Sequence, residues 1–235
     1  LKEAHGLKDK FVCFWNNRNA RRKQSGTLIW WFKDFLDRVG HDKATLVMHT
    51  DTKDQHGQDL DAIIAELGLT NGEVMFSRAK VQAPDMAGLY NMSDVTINIS
   101  DAEGFGLATL ESLSCATPIL VNMTGGLQDQ VTDGENWFGI GLEPSSKAII
   151  GSQQVPYIYE DRLNKDDFLD ALNKLYDMGP EGRDKLGSAG RAWVEEKFNF
   201  DDFINTWDTL FTELNESAGS WDDRENYTPY EMRIL

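Results

Sequence analysis

The feature that most restricts the fold is an alternation that begins at residue 11, where short β-rich apolar runs take turns with stretches whose apolar residues recur at helical spacing. This is the pattern of a parallel sheet with crossover helices. Residues 11–15 read as the first strand. Residues 27–39 then place Leu28, Trp31, Phe32, Phe35, Leu36 and Val39 on one helical stripe. A strand at 44–49, a helix through Leu60, Ile63, Ile64 and Leu67, and a strand at 74–76 follow. Next come a short helix at 84–92, a strand at 95–99, a helix at 107–115, a strand at 118–121, and a last edge strand at 137–142. Gly125 and Gly126 turn the chain before that edge strand. Residues 143–162, with Pro144, Gly151 and Pro156, read as a long loop. Three helices come after it, the last with Phe203, Ile204, Trp207, Leu210, Phe211 and Leu214 on one stripe. The expected fold is therefore α/β, a Rossmann-like doubly wound parallel sheet with extra C-terminal helices, spanning 1–216 and followed by a tail at 217–235.

Composition narrows the function classes. No run of 18 apolar residues is present, so no membrane-spanning helix is expected. The chain starts at Leu1 rather than Met, which suggests a fragment or a processed chain, and a cytoplasmic location is the expectation. A net charge of −16 opposes broad attraction to nucleic acid or anionic membrane, although Arg18 to Lys23 form one local basic segment. Cys13 and Cys115 lie in apolar segments and read as reduced core thiols. His49, Asp51 and His56 suggest a metal cluster only superficially, because a strand end followed by a polar loop explains the same letters. Asp59 and Asp61 sit at an exposed helix start and do not make a metal motif.

Two segments carry chemistry. The basic loop Asn16-Asn17-Arg18-Asn19-Ala20-Arg21-Arg22-Lys23 leaves the carboxyl end of the first strand, the edge at which open α/β sheets bind ligands. Arg18 and Lys23, five apart across a turn, are spaced to face a diphosphate, and a solvated basic loop fits the same letters. The second segment runs from Ser100 to Glu111, where a strand passes through a glycine-containing turn into a helix. Gly104 and Gly106 allow close approach of backbone to ligand, and a helix N-terminus offers N–H groups to phosphate or sugar oxygens. Glu103 in the turn suits a sugar and Glu111 suits a ribose, since one carboxylate accepts from two vicinal hydroxyls. Helix-face solvation is the plainer account of Glu111.

Taken in order, these residues resemble glycosyltransferase family 4, whose donor domain is the C-terminal half of the GT-B architecture. The resemblance covers roughly residues 11 to 215. It rests on Arg18 and Lys23, on Ser100, Glu103, Gly104, Phe105, Gly106 and Glu111, and on Thr117-Pro118 before an apolar strand that ends in Gly125-Gly126. The resemblance implies a retaining transfer of sugar from a nucleoside diphosphate, with no metal or other cofactor. Catalytic roles then fall to Arg18, Lys23 and Glu103, and donor binding to Ser100, Gly104, Phe105, Gly106, Leu107 and Glu111. It also implies an N-terminal acceptor domain, in the same protein or a partner chain, for an acceptor of unknown kind. A non-catalytic nucleotide-sugar-binding or interaction module that kept the fold is the alternative, and an epimerase or phosphorylase of related architecture fits the two-Glu turn less well. The sequence departs from the family at Asn17, Gln24 and Ala116, where glycine is usual, and at Asp129, where Glu is common.

Overall fold

The structure, a computed structural model, describes residues 1–220 and residue 223. The chain forms two compact units, one of Leu1–Trp193 and a second beginning at Val194. In the first unit a six-stranded parallel sheet contains β1 (Phe11–Asn16), β2 (Ala44–His49), β3 (Val74–Ser77), β4 (Val95–Asn98), β5 (Ile119–Asn122) and β6 (Gly139–Leu142). Their order across the sheet is β3-β2-β1-β4-β5-β6. The crossovers are α1 (Ser25–Val39), α2 (Leu60–Glu66), α3 (Ala83–Met92), α4 (Leu107–Ser114) and α5 (Gly126–Val131).

Strand β1 is central because both of its faces are apolar. Phe11, Cys13 and Trp15 join the core that includes α1, while Val12 and Phe14 join Tyr90 and Met92 on the opposite face. Successive strand residues point to opposite faces, so an uninterrupted apolar run belongs in a sheet covered on both sides. Burial pushes the Cys13 thiol well up, which keeps it inert.

Two elements differ from the sequence expectation. Residues 143–162 are not a long loop: they hold an antiparallel hairpin of β7 (Ser146–Ile150) and β8 (Ile158–Arg162). Neither strand has a fully apolar face, and Gly151 and Pro156 mark the turn between them, so local pattern alone hides the pairing. The chain after Gly125 does more than turn, since it enters α5 at once.

The hairpin leads into α6 (Lys165–Asp177) and α7 (Gly179–Lys197), and the second unit carries α8 (Phe200–Ala218). Most of the 217–235 tail lies outside the described residues. Among the described residues no helix is long and apolar enough to cross a membrane.

Candidate functional site

The connection out of β1 goes to β2 on one side, while β4 lies on the other. That reversal opens a crevice at the carboxyl ends of β1 and β4, the position at which doubly wound sheets hold ligands. A cleft of about 560 Å³ occupies it, walled by the β1 exit (Asn16, Asn17, Arg22, Lys23) and by Glu103, Gly104, Phe105, Gly106, Leu107, Ala108 and Glu111. Asn98 completes the lining.

From β1 the chain passes through a single 3₁₀ turn at Arg21–Lys23 and then Gln24, whose φ of 57° lies in the left-handed region, before entering α1. This turn buries Lys23, whose ammonium pairs with the Glu103 carboxylate, both side chains being about nine-tenths buried at 9% and 11% exposure. Burial lowers the Lys23 pKa, and the hydrogen bond to Glu103 opposes that shift. Arg22 donates to the Ala102 carbonyl and lies 3.6 Å from Glu103, so one carboxylate faces two cations.

The Glu103 turn is held from behind. Gly126 N–H donates to the Gly104 carbonyl at 2.8 Å, and a Cβ on Gly125 would overlap the Glu103 carbonyl oxygen, which is why glycine is needed there. Gln130 of α5 donates to the Phe105 carbonyl at 2.6 Å and accepts from Thr109 Oγ1 at 2.6 Å. The first turn of α4 therefore opens on the cleft in a fixed direction. Phe105 and Leu107 stand exposed at its mouth.

Glu111, one turn after Leu107 on α4, accepts from the Tyr90 hydroxyl at 2.7 Å, and Asn16 Nδ2 donates to that same hydroxyl at 2.9 Å. Burial raises the Tyr90 pKa, so its phenol stays a donor and orients the carboxylate. The sequence places Asn16 in the loop after β1 without a role and does not point to Tyr90, since no local signal links either residue to Glu111.

Asn98 is a further residue missed. Ser100 N–H and Oγ–H both donate to its Oδ1, at 3.1 and 2.5 Å, which fixes the amide orientation. Its Nδ2 is buried without a protein partner, as is that of Asn17. Two uncommitted amide donors at the bottom of a cleft are what an oxygen-rich ligand needs.

The structure brings Lys23, Glu103, Gly104, Phe105, Gly106, Leu107 and Glu111 together. It does not bring Ser100 or Arg18 to the cleft surface. Ser100 is fully buried and bound to Asn98. Arg18 forks onto Asp54, with Nε and Nη2 at 2.7 and 3.1 Å from the two carboxylate oxygens. That guanidinium holds the Asp54 pKa down at about 2. His49 is engaged by Ser77, Nδ1 to Oγ at 2.9 Å.

The chain matches the model of the family described as glycosyl transferases group 1 over residues 2–193. It is 30% identical over 109 residues to D-inositol 3-phosphate glycosyltransferase of Arthrobacter sp. (strain FB24), a stretch covering 46% of this chain and 25% of that protein. It is 21% identical over 130 residues to N-acetyl-alpha-D-glucosaminyl L-malate synthase of Bacillus anthracis, covering 55% of this chain and 29% of the other. In fold it is similar to sucrose-phosphate synthase from Thermosynechococcus elongatus, with a TM-score of 0.70 at 21% identity, covering 92% of this chain and 48% of that one. Anabaena Alr3699/HepE, solved in complex with UDP-glucose, aligns with a TM-score of 0.67 at 16% identity, over 91% of this chain and 51% of its own. The chain thus spans about half the length of these solved structures, and its matches cover 25% and 29% of the two curated relatives.

Proposed function

The chain belongs to the group 1 glycosyl transferases, and from that premise we propose that its cleft binds a nucleoside-diphosphate sugar for transfer to an acceptor with retention of anomeric configuration. The observation that carries this reading is the Lys23–Glu103 pair beside the first turn of α4. It puts a cation suited to a diphosphate and a carboxylate suited to sugar hydroxyls, both largely buried, in one cleft.

In this reading the bond from the anomeric carbon to the diphosphate oxygen breaks, the bond to an acceptor oxygen forms, and the acceptor hydroxyl gives up its proton to the departing diphosphate. Negative charge builds on the departing diphosphate, and Lys23 with Arg22 stabilises it there, helped by the N-terminal end of α4. Arg18 joins them only by exchanging Asp54 for the ligand. Glu103 and the backbone of Gly104 to Leu107 meet the sugar and phosphates, Glu111 meets the ribose, and Ser100 acts through Asn98. The cations do the work that a divalent ion does in other phosphate-leaving reactions, so no metal is required. Acceptor recognition is assigned to a second domain that closes over the cleft and excludes water.

Calorimetry on the 235-residue chain tests this proposal. Lys23→Ala should weaken nucleoside diphosphate binding by about 1.5–3 kcal/mol, the worth of a charge-assisted hydrogen bond, while EDTA leaves the wild-type affinity unchanged. Circular dichroism checks that the variant, in which Glu103 keeps only Arg22 at 3.6 Å as a cationic neighbour, is still folded. Unchanged affinity in the variant would remove the role of Lys23. Binding lost on chelation and restored by divalent ions would overturn the metal-free mechanism.

A further inference from the structure

The β7–β8 hairpin has no part in the chemistry above, yet its second strand reaches both loops that build the cleft. Glu160, 3% exposed, accepts from Arg21 Nη1 at 2.9 Å and Nη2 at 2.5 Å. Arg21 opens the 3₁₀ turn that ends in Lys23. Arg162 donates to Asp101 at 2.5 Å and to Glu160 at 2.9 Å, and Asp101 stands two residues before Glu103. Backbone bonds run in parallel: Asp161 N–H donates to the Asp101 carbonyl at 2.7 Å, and Asp101 N–H donates to the Arg22 carbonyl at 2.8 Å. Asn122, at the end of β5, donates to the carbonyls of Ser100 and Asp161 at 2.9 and 3.2 Å.

We infer that Glu160 and Arg162 are positioning residues, and that through them the hairpin sets the Lys23 turn against the Glu103 turn so that the cleft can grip a diphosphate. This inference rests on the functional reading given above. The two turns leave different strands, and two arginines and two carboxylates form a charge-balanced knot across them. Gln24 Nε2 also donates to Asp101, at 2.5 Å, which ties the start of α1 into the same knot. Glu160 and Asp101 are buried, with side chains 3% and 5% exposed, while Arg21 and Arg162 reach water at 57% and 31%, so taking one charge away leaves a buried group without its partner and loosens the tie between the turns. Glu111 and Tyr90 are outside the knot. Ribose contacts therefore stay in place when it loosens.

The test uses the 235-residue chain as wild type, Glu160→Gln and Arg162→Lys. Glu160→Gln removes a charge at nearly constant shape, and Arg162→Lys keeps the charge but loses the fork that spans two carboxylates. Amide hydrogen exchange, without added nucleotide, reads the two turns directly. Exchange should rise at 20–24 and 101–104 and stay unchanged in the central strands. Calorimetry with UDP, GDP and ADP then selects the tightest diphosphate for comparison with its parent nucleoside. Diphosphate affinity should fall about tenfold in either variant, the scale on which loss of an orienting partner weakens a ligand site, with nucleoside affinity unchanged. Exchange that is unaltered or raised evenly over the whole sheet would overturn the inference, as would equal losses for diphosphate and nucleoside. A selective rise in exchange together with a wild-type chain that binds none of the three diphosphates would establish the brace and overturn the functional reading of the cleft.

Discussion

Replacing Ala116 by glycine should stabilise this protein, and the size of the gain follows from one helix end. Helix α4 closes with Cys115, after which Ala116 takes a φ of 57° in the left-handed region. Ala116 N–H donates to the Leu113 carbonyl at 2.9 Å and Thr117 N–H to the Ser112 carbonyl at 2.9 Å, the paired bonds of a Schellman cap. The cap demands that conformation, and an L-residue with a Cβ bears roughly 1–2 kcal/mol for adopting it. Glycine removes the cost but loses more freedom on folding, which returns roughly 0.5–1 kcal/mol. A net gain of about 0.5–1 kcal/mol remains, or an increase in Tm of about 1–4 °C for a chain of this size. Gln24, the other non-glycine residue with positive φ among those described, makes the contrast. Its side chain donates to Asp101 at 2.5 Å and accepts from Thr27 Oγ1 at 2.7 Å, so Gln24→Gly forfeits hydrogen bonds as it relieves strain and should gain nothing. Thermal unfolding of both variants by circular dichroism decides. A Tm for Ala116→Gly at or below wild type would refute the argument.

Two further outcomes are expected. In calorimetry, Glu111→Ala should weaken nucleoside diphosphate and nucleotide sugar alike, while Glu103→Ala should spare the free diphosphate and lose about 1.5–3 kcal/mol of the extra affinity that the sugar brings; equal losses for both ligands in both variants would make the two residues structural. The Asp54 carboxylate, held at about 2 by the Arg18 fork and by the His56 N–H, adds stability that is present above its ordinary value near 3.8 and is lost as pH falls toward 2. Carbon-detected NMR titration should show the low midpoint in the wild type and a higher one in Arg18→Ala, and an unshifted wild-type midpoint would mean that Arg18 does not hold Asp54.

The sequence alone determined the six strands of the sheet and the crossover helices other than α5, because each of these declares itself through its own period. Phe11 to Trp15 must be a doubly covered strand, and the helix after Gly106 must present Glu111 near the turn that bears Glu103. Its departures from the family pattern at Gln24 and Ala116 also proved physical, since both positions take a backbone shape that suits glycine. Only the tertiary structure decided which charges meet. Lys23 and Glu103 are 80 residues apart, and Arg21 and Glu160 are 139 apart. Spacing along the chain carries no information about such pairs, which exist because β1 lies beside β4 and the hairpin folds back over their ends. For the same reason Arg18, spaced well for a diphosphate, went to Asp54 in the loop after β2, and Glu111 acquired its orienting partner Tyr90 from α3. Periodicity is local and survives any arrangement of the elements, whereas the environment of a charge is set by whichever elements pack around it.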